Sequence, residues 1–180
     1  MAQLAIGGLV LGKNPFIKSI QYGSISLSTA QTSNTATINS VNTANSVVVF
    51  TGCTSKPVLD DIRSYNVKMV LTDSTTVTGT RTATDSDANI SAFMVLEFQG
   101  GVAKSIQLDS RTGDGVITIS SINENKTMLF SQGSTSTSTD MDGILGYSYV
   151  LTNDTDITIS FTDVDKPNLH TAFVAAVEFF

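Results

Sequence analysis

Of 180 residues, 41% are hydrophobic and only 14% are charged, so Ser, Thr, Asn and Gly must cover much of the surface. That aliphatic content excludes a disordered chain. A net charge of −6, with ten scattered Lys and Arg, excludes the basic stripe that direct nucleic-acid binding needs.

The first sixteen residues read MAQLAIGGLVLGKNPF. Their apolar run lacks a basic n-region and a small-x-small cleavage site, so it is not expected to be a signal peptide. It is also too short to span a bilayer. Leu4, Ile6, Leu9, Val10 and Leu11 are instead expected to form an arm that packs against its own domain or a neighbouring subunit. The pattern then predicts strands. Residues 19–27 alternate through Ile20, Tyr22, Ile25 and Leu27, with a break in phase at Gly23 that reads as a bulge. Further strands are predicted at 37–41, 47–50, 65–71, 75–82 and 91–98, rich in Val, Ile, Thr, Phe and Tyr. Gln99-Gly100-Gly101 reads as a short linker. Six more strands follow at 104–108, 115–122, 127–130, 147–151, 156–161 and 171–180. No window of helical length shows a 3.6-residue period.

The second set of strands repeats the first. Ile17-Lys18-Ser19-Ile20-Gln21 recurs as Ala103-Lys104-Ser105-Ile106-Gln107, and Thr37-Ile38-Asn39-Ser40-Val41-Asn42 as Thr118-Ile119-Ser120-Ser121-Ile122-Asn123. Val70-Leu71-Thr72-Asp73 matches Val150-Leu151-Thr152-Asn153, and Leu96-Glu97-Phe98 matches Val177-Glu178-Phe179. Four matches in the same order imply duplication. The expected fold is all-β, a tandem pair of small antiparallel β-sandwich modules of about six strands each. Residues 1–16 form the arm, 17–98 the first module and 102–180 the second.

Chemistry-bearing residues are few. His170 lies before the last strand and reads as a loop histidine, matched in the first copy near Asn89 or Ile90. Cys53, the one cysteine, excludes an intrachain disulfide and a cysteine zinc cluster and suits a reducing compartment. It reads as an inert half-buried thiol, matched near Ser134. Glu97 and Glu178 occur in both copies. They are expected to face outward or to pair with a basic residue, with Lys18, Lys104 and Arg81 as partners, and two such distant glutamates do not make a glycosidase pair. Aspartates cluster at Asp60-Asp61, Asp85 and Asp87, Asp140 and Asp142, and Asp163 and Asp165. Solvated acidic turns are the expectation, with calcium as the alternative, and no other cofactor is expected. The stretch 133–139 reads as a polar loop, without the Lys and helix of a phosphate-binding loop.

The I-K-S-I-Q-x-G start at Ile17–Gly23, the T-I-x-S-V-N strand at Thr37–Asn42, the Thr-rich strand running to Arg81 and the V-x-E-F end at Val95–Phe98 resemble a family of phage and prophage virion proteins. The second copy departs from the pattern, since Ser160-Phe161 stands where the first has Thr80-Arg81. The resemblance implies small modules like those of decoration proteins and tail fibres. It implies a non-enzymatic capsid decoration or cement protein that binds the major capsid protein or other virion proteins. It also implies a homo-oligomer, a trimer favoured, in a virion made in a bacterial host's cytoplasm, with no nucleic acid or membrane as partner. The alternative is a receptor-binding or carbohydrate-binding fibre protein, which the absence of Trp disfavours.

Overall fold

The computed structural model describes residues 16–55, 63, 65–84, 88–138, 146–162 and 167–180. The arm residues Leu4, Ile6, Leu9, Val10 and Leu11 lie outside them. Period-two alternation builds strands, and among the described residues it builds twelve: β1 (Ile17–Leu27), β2 (Ser33–Thr37), β3 (Ser46–Ser55), β4 (Lys68–Asp73), β5 (Thr76–Thr80), β6 (Asn89–Phe98), β7 (Ala103–Thr112), β8 (Gly115–Thr118), β9 (Thr127–Ser136), β10 (Tyr147–Leu151), β11 (Asp156–Phe161) and β12 (His170–Phe179). The order β1-β6-β3 forms one sheet and β10-β11-β8 another. A third runs β2-β5-β4-β9-β12-β7, its two halves joined by the single antiparallel bridge of Lys68 with Gly133.

The first module packs β1-β6-β3 on β2-β5-β4. Its core holds Ile25, Leu27, Val48, Met69, Val77, Phe93 and Val95. The second packs β7-β12-β9 on β8-β11-β10, around Ile117, Ile157, Ile159, Phe161, Val174 and Ala176. The fold is therefore two antiparallel sandwiches with the same strand plan. A third apolar cluster lies between them. Val47, Leu96 and Phe98 of the first module meet Ala175 and Val177 of the second. In β6, Phe93 and Val95 enter one core while Leu96 and Phe98 enter the next. Strands covered on both faces read as near-continuous apolar runs, which is why 93–98 and 172–177 look so greasy in sequence.

Several predicted bounds shift. The strand expected at 37–41 lies at Ser33–Thr37. Ile38 and Val41 bond instead to the carbonyls of Thr75 and Ser74 as the chain leaves the sheet. The one expected at 115–122 ends at Thr118, and Ile119 and Ile122 bond in the same way to Thr155 and Asp154. Residues 133–136 are not a loop but the end of β9: 134–136 pair with β12, and Gly133 bridges β4. The turn at 99–102 is closed by the Val102 amide on the Gln99 carbonyl, with Gly101 at φ +79°. It is a tight reversal and not a slack linker.

Gly23 is not a bulge. It pairs in register with Phe93, and the irregularity in β1 falls between Ile17 and Ser19. The glycine is there for space, since a Cβ on it would stand 2.5 Å from Phe93 Cζ. In the second module the matching pair is Asp109 with Val174. The smaller valine leaves room for a side chain opposite. Gly23→Ala is expected to cost about 1–2 kcal/mol through overpacking. Phe93→Val, itself destabilising through a cavity, should relieve that strain. Denaturant unfolding of both single variants and the double should give a coupling of about 1 kcal/mol; additive costs would refute the contact.

Candidate functional site

The two repeated glutamates end their modules in the same clasp. Glu97 and Glu178 are each only 2% exposed. Lys18 Nζ donates to Glu97 Oε1 at 2.8 Å, and Lys104 Nζ to Glu178 Oε1 at 2.8 Å. Ser19 and Ser105 donate their hydroxyls to the second oxygens at 3.0 and 3.4 Å. The amides of Asn42 and Asn123 donate to the first oxygens at 3.0 and 2.9 Å. Each asparagine side chain then accepts the amide two residues on, capping a 3-10 turn. One carboxylate thus ties the last strand of its module to the first strand and to the loop entering the third. Neither faces outward.

Burial pushes the Glu97 carboxyl upward, but the bonds from Lys18, Asn42 and Ser19 outweigh it and hold it below the usual carboxylate value. The Lys104 bond leads the same net lowering at Glu178. A carboxylate depressed in the fold stabilises it above the unfolded-chain value, about pH 4.3. That contribution is lost as pH falls through the lower folded value. The double variant Glu97→Gln, Glu178→Gln is expected to lose roughly 1–2 kcal/mol per site at neutral pH. Its unfolding free energy should flatten below pH 4–5 relative to the parent, measured by denaturant titration across pH. The lysine heads are half exposed, so most of the loss comes from the hydrogen bonds and little from the ion pairs.

Arg81 and His170 are both about 1% exposed. Arg81 Nε donates to the Gln31 carbonyl at 2.9 Å and Nη2 to the Ser28 carbonyl at 2.7 Å. Its amide bonds the Thr32 carbonyl. Arg81 therefore grips the turn between β1 and β2. Phe161 occupies the matching place in the second module, against His170 with ring centroids 5.8 Å apart. His170 is no loop residue: it opens β12 opposite Ser136, as Asn89 opens β6 opposite Ser55. A flat ring packs beside an aromatic there, where the first module buries a polar pair of another kind. Cys53 lies on an exposed stretch of β3, and partial burial of its sulfur raises the thiol pKa, which disfavours thiolate.

The four aspartate clusters lie outside the described residues. Among the described residues no group of three or more His, Cys, Asp or Glu could hold a metal, and no helix is long and apolar enough to cross a membrane. A cleft of about 220 Å³ opens at the seam between the modules, lined by Lys68, Val70, Leu108, Asp109, Gln132 and Phe173. Lys68 Nζ stands 4.4 Å from the Phe173 ring centre. This is below the usual size of a small-molecule pocket, and its cation is engaged on an aromatic face.

The seam is what sequence reading missed. Gly133 lies in a bulge of β9 at φ +95°, where a side chain would collide with the Val67 carbonyl. Tyr147 donates its hydroxyl to the Gly133 carbonyl at 2.8 Å and meets the Ser131 hydroxyl at 2.5 Å, and burial pushes its phenol up to about 12. Ser134 bonds Asn66, and the Thr82 hydroxyl bonds the Ser136 carbonyl. One signal was available: Gly52 and Gly133 match in the repeat.

Outside, the first module presents neutral hydroxyl rows. Ser33, Thr35 and Thr37 of β2 stand opposite Thr80, Thr78 and Thr76 of β5, and Thr72 meets Thr78. Tyr22 is 74% exposed. Comparisons with protein-family models, with curated proteins and with solved structures found no match for this chain.

Proposed function

We propose that the chain is a bacteriophage virion structural protein that decorates and stabilises the assembled head. One observation carries this reading. Glu97, Glu178, Arg81 and His170 are all buried in the scaffold, while the outward sheet of the first module is a hydroxyl surface with little charge. Such a module adds buried contact to a shell and performs no reaction. Two modules joined by an apolar seam make one stiff unit with two different outer sheets, suited to bridging neighbours on a particle. Purified capsids should carry the protein at copy numbers comparable to the major capsid protein, and should lose thermal stability without it. A handful of copies per particle would overturn the head assignment in favour of the tail.

A second reading has one observation behind it. The exposed ring of Tyr22 offers a stacking surface for a sugar. A fibre protein would then show glycan-array binding that Tyr22→Ala removes; an empty array sinks that reading.

A further inference from the structure

The seam cleft is built by both modules. Lys68 and Val70 come from β4, Leu108, Asp109 and Ser110 from β7, Gln132 from β9 and Phe173 from β12. Two of its polar groups lack the partners their chemistry calls for. Gln132 is only 5% exposed, yet among the described residues its side-chain amide has no hydrogen-bond partner. Buried amides are costly unless bonded. The bulge in β9 sets this residue there: Gln132 and Gly133 together stand opposite Phe173, between the pairs Ser131–Val174 and Ser134–Ala172. Lys68 Nζ rests over the Phe173 ring, but among the described residues no carboxylate forms an ion pair with it, although Asp109 lines the same cleft. The first module has Thr51, Ala92 and Gly23 where the second has Gln132, Phe173 and Asp109, so the duplication gave this lining to the second module alone.

The lining sets the chemistry of the ligand. At about 220 Å³ the cleft takes one compact unit and no drug-sized molecule. Lys68 and the Gln132 amide donate, which suits a carboxylate. Asp109 only accepts, and one of its oxygens already takes the Ser110 amide at 2.7 Å. It repels a plain anion and needs a ligand that also donates. Val70, Leu108 and Phe173 wall the cleft for a carbon framework. A sugar carrying a carboxylate meets all three demands. An amino acid meets them too, but the surroundings favour the sugar. Two rows run from the cleft across the first module: Lys68 pairs with Thr80 and Thr80 with Ser33, and Val70 pairs with Thr78 and Thr78 with Thr35. Neutral hydroxyls leading away from the cleft suit further sugar units and offer a free amino acid nothing.

We propose that the seam cleft binds a carboxylate-bearing sugar unit of a glycan. Lys68 takes the carboxylate, Gln132, Ser110 and Asp109 take hydroxyls, and the following units cross the hydroxyl rows of the first module. The inference rests on the cleft alone and holds for a head or a fibre protein. It is separate from stacking on Tyr22, which lies on another sheet.

The probe is glucuronic acid, titrated into the full isotope-labelled chain and followed by NMR. Saturable binding at millimolar concentration should move the Gln132 side-chain amide and the backbone amides of Ser110 and Phe173. Glucose should bind about tenfold more weakly, and Lys68→Met should bring glucuronate down to the level of glucose. Gln132→Leu should weaken both sugars alike. Ser110→Ala, at an exposed position that leaves the core untouched, should weaken both as well, and Tyr22→Ala should change neither. A disaccharide ending in glucuronate should bind more tightly than the free sugar, and equal affinity would remove the hydroxyl rows from the site. The proposal is overturned by an unmoved Gln132 signal, by glucose binding as well as glucuronate, or by a plain acetate or glutamate that matches it. Acetate would mark a simple anion site and glutamate an amino-acid site. Capsid occupancy is a separate measurement, so failure here leaves the decoration reading standing.

Discussion

Gly133→Ala is expected to be the most damaging small substitution in the protein, at roughly 3–5 kcal/mol. Two costs add. A non-glycine residue at φ +95° is strained by about 1–3 kcal/mol. The new methyl also meets the Val67 carbonyl, which is backbone and cannot rotate aside. Relief requires β4 to lift off β9, which breaks the Lys68–Gly133 bridge and loosens the Tyr147, Ser134 and Thr82 bonds around it. Gly52 provides the control. It occupies the matching place in β3 at φ +142°, and nothing lies within 4 Å of a Cβ added there. Gly52→Ala should cost backbone strain alone, about 1–2 kcal/mol. Chemical unfolding of the two variants measures the difference, and equal costs would mean that the seam contact at Gly133 carries no weight.

Arg81→Met is expected to cost about 3 kcal/mol, although methionine is apolar and flexible enough to fill the space. The Gln31 and Ser28 carbonyls lose two charge-assisted hydrogen bonds from a buried guanidinium. Hydrogen exchange should show the damage as local. The Arg81 amide, bonded to the Thr32 carbonyl, should lose protection. Amides of β11 should not, because Phe161 fills the matching place there without any such grip. Arg81→Lys should rescue little, since a single ammonium cannot reproduce the planar fork that serves both carbonyls. Full rescue by lysine would show that charge and not geometry holds the turn.

The residues that sequence reading placed well and badly differ in a physical way. Glu97 and Glu178 stood out because both copies carry them, and Lys18 and Lys104 because they recur at the matching place. The geometry joins each glutamate to its own lysine. Alternation alone could not say which way Ile20 and Tyr22 point. Both turn away from the core, while Ser19, Gln21 and Gly23 turn toward it. The apparent phase break at Gly23 arose because the apolar residues change face along β1, outward early and inward from Ile25. Gln21 explains part of this, since its amide side chain exchanges two hydrogen bonds with the Asn39 backbone at the sandwich rim. Gln107 does the same with Ser120. His170 was misread because a histidine after Pro and Asn looks exposed; burial beside Phe161 comes from a partner in another strand.

What the sequence determined by itself is the local and the repeated: strand-forming composition, period-two stretches, and a duplication that the shared strand plan reproduces pair by pair. These depend on neighbours along the chain or on comparison of one half with the other. What only the tertiary structure decided is how the halves meet. The seam places Leu96 and Phe98 on Ala175 and Val177, and admits β4 at the Gly133 bulge while the matching Gly52 stays open. Both copies carry the same glycine, so sequence could not say which of them would take the strand. That choice follows from the packing of two sheets against each other, a contact between residues far apart in the chain.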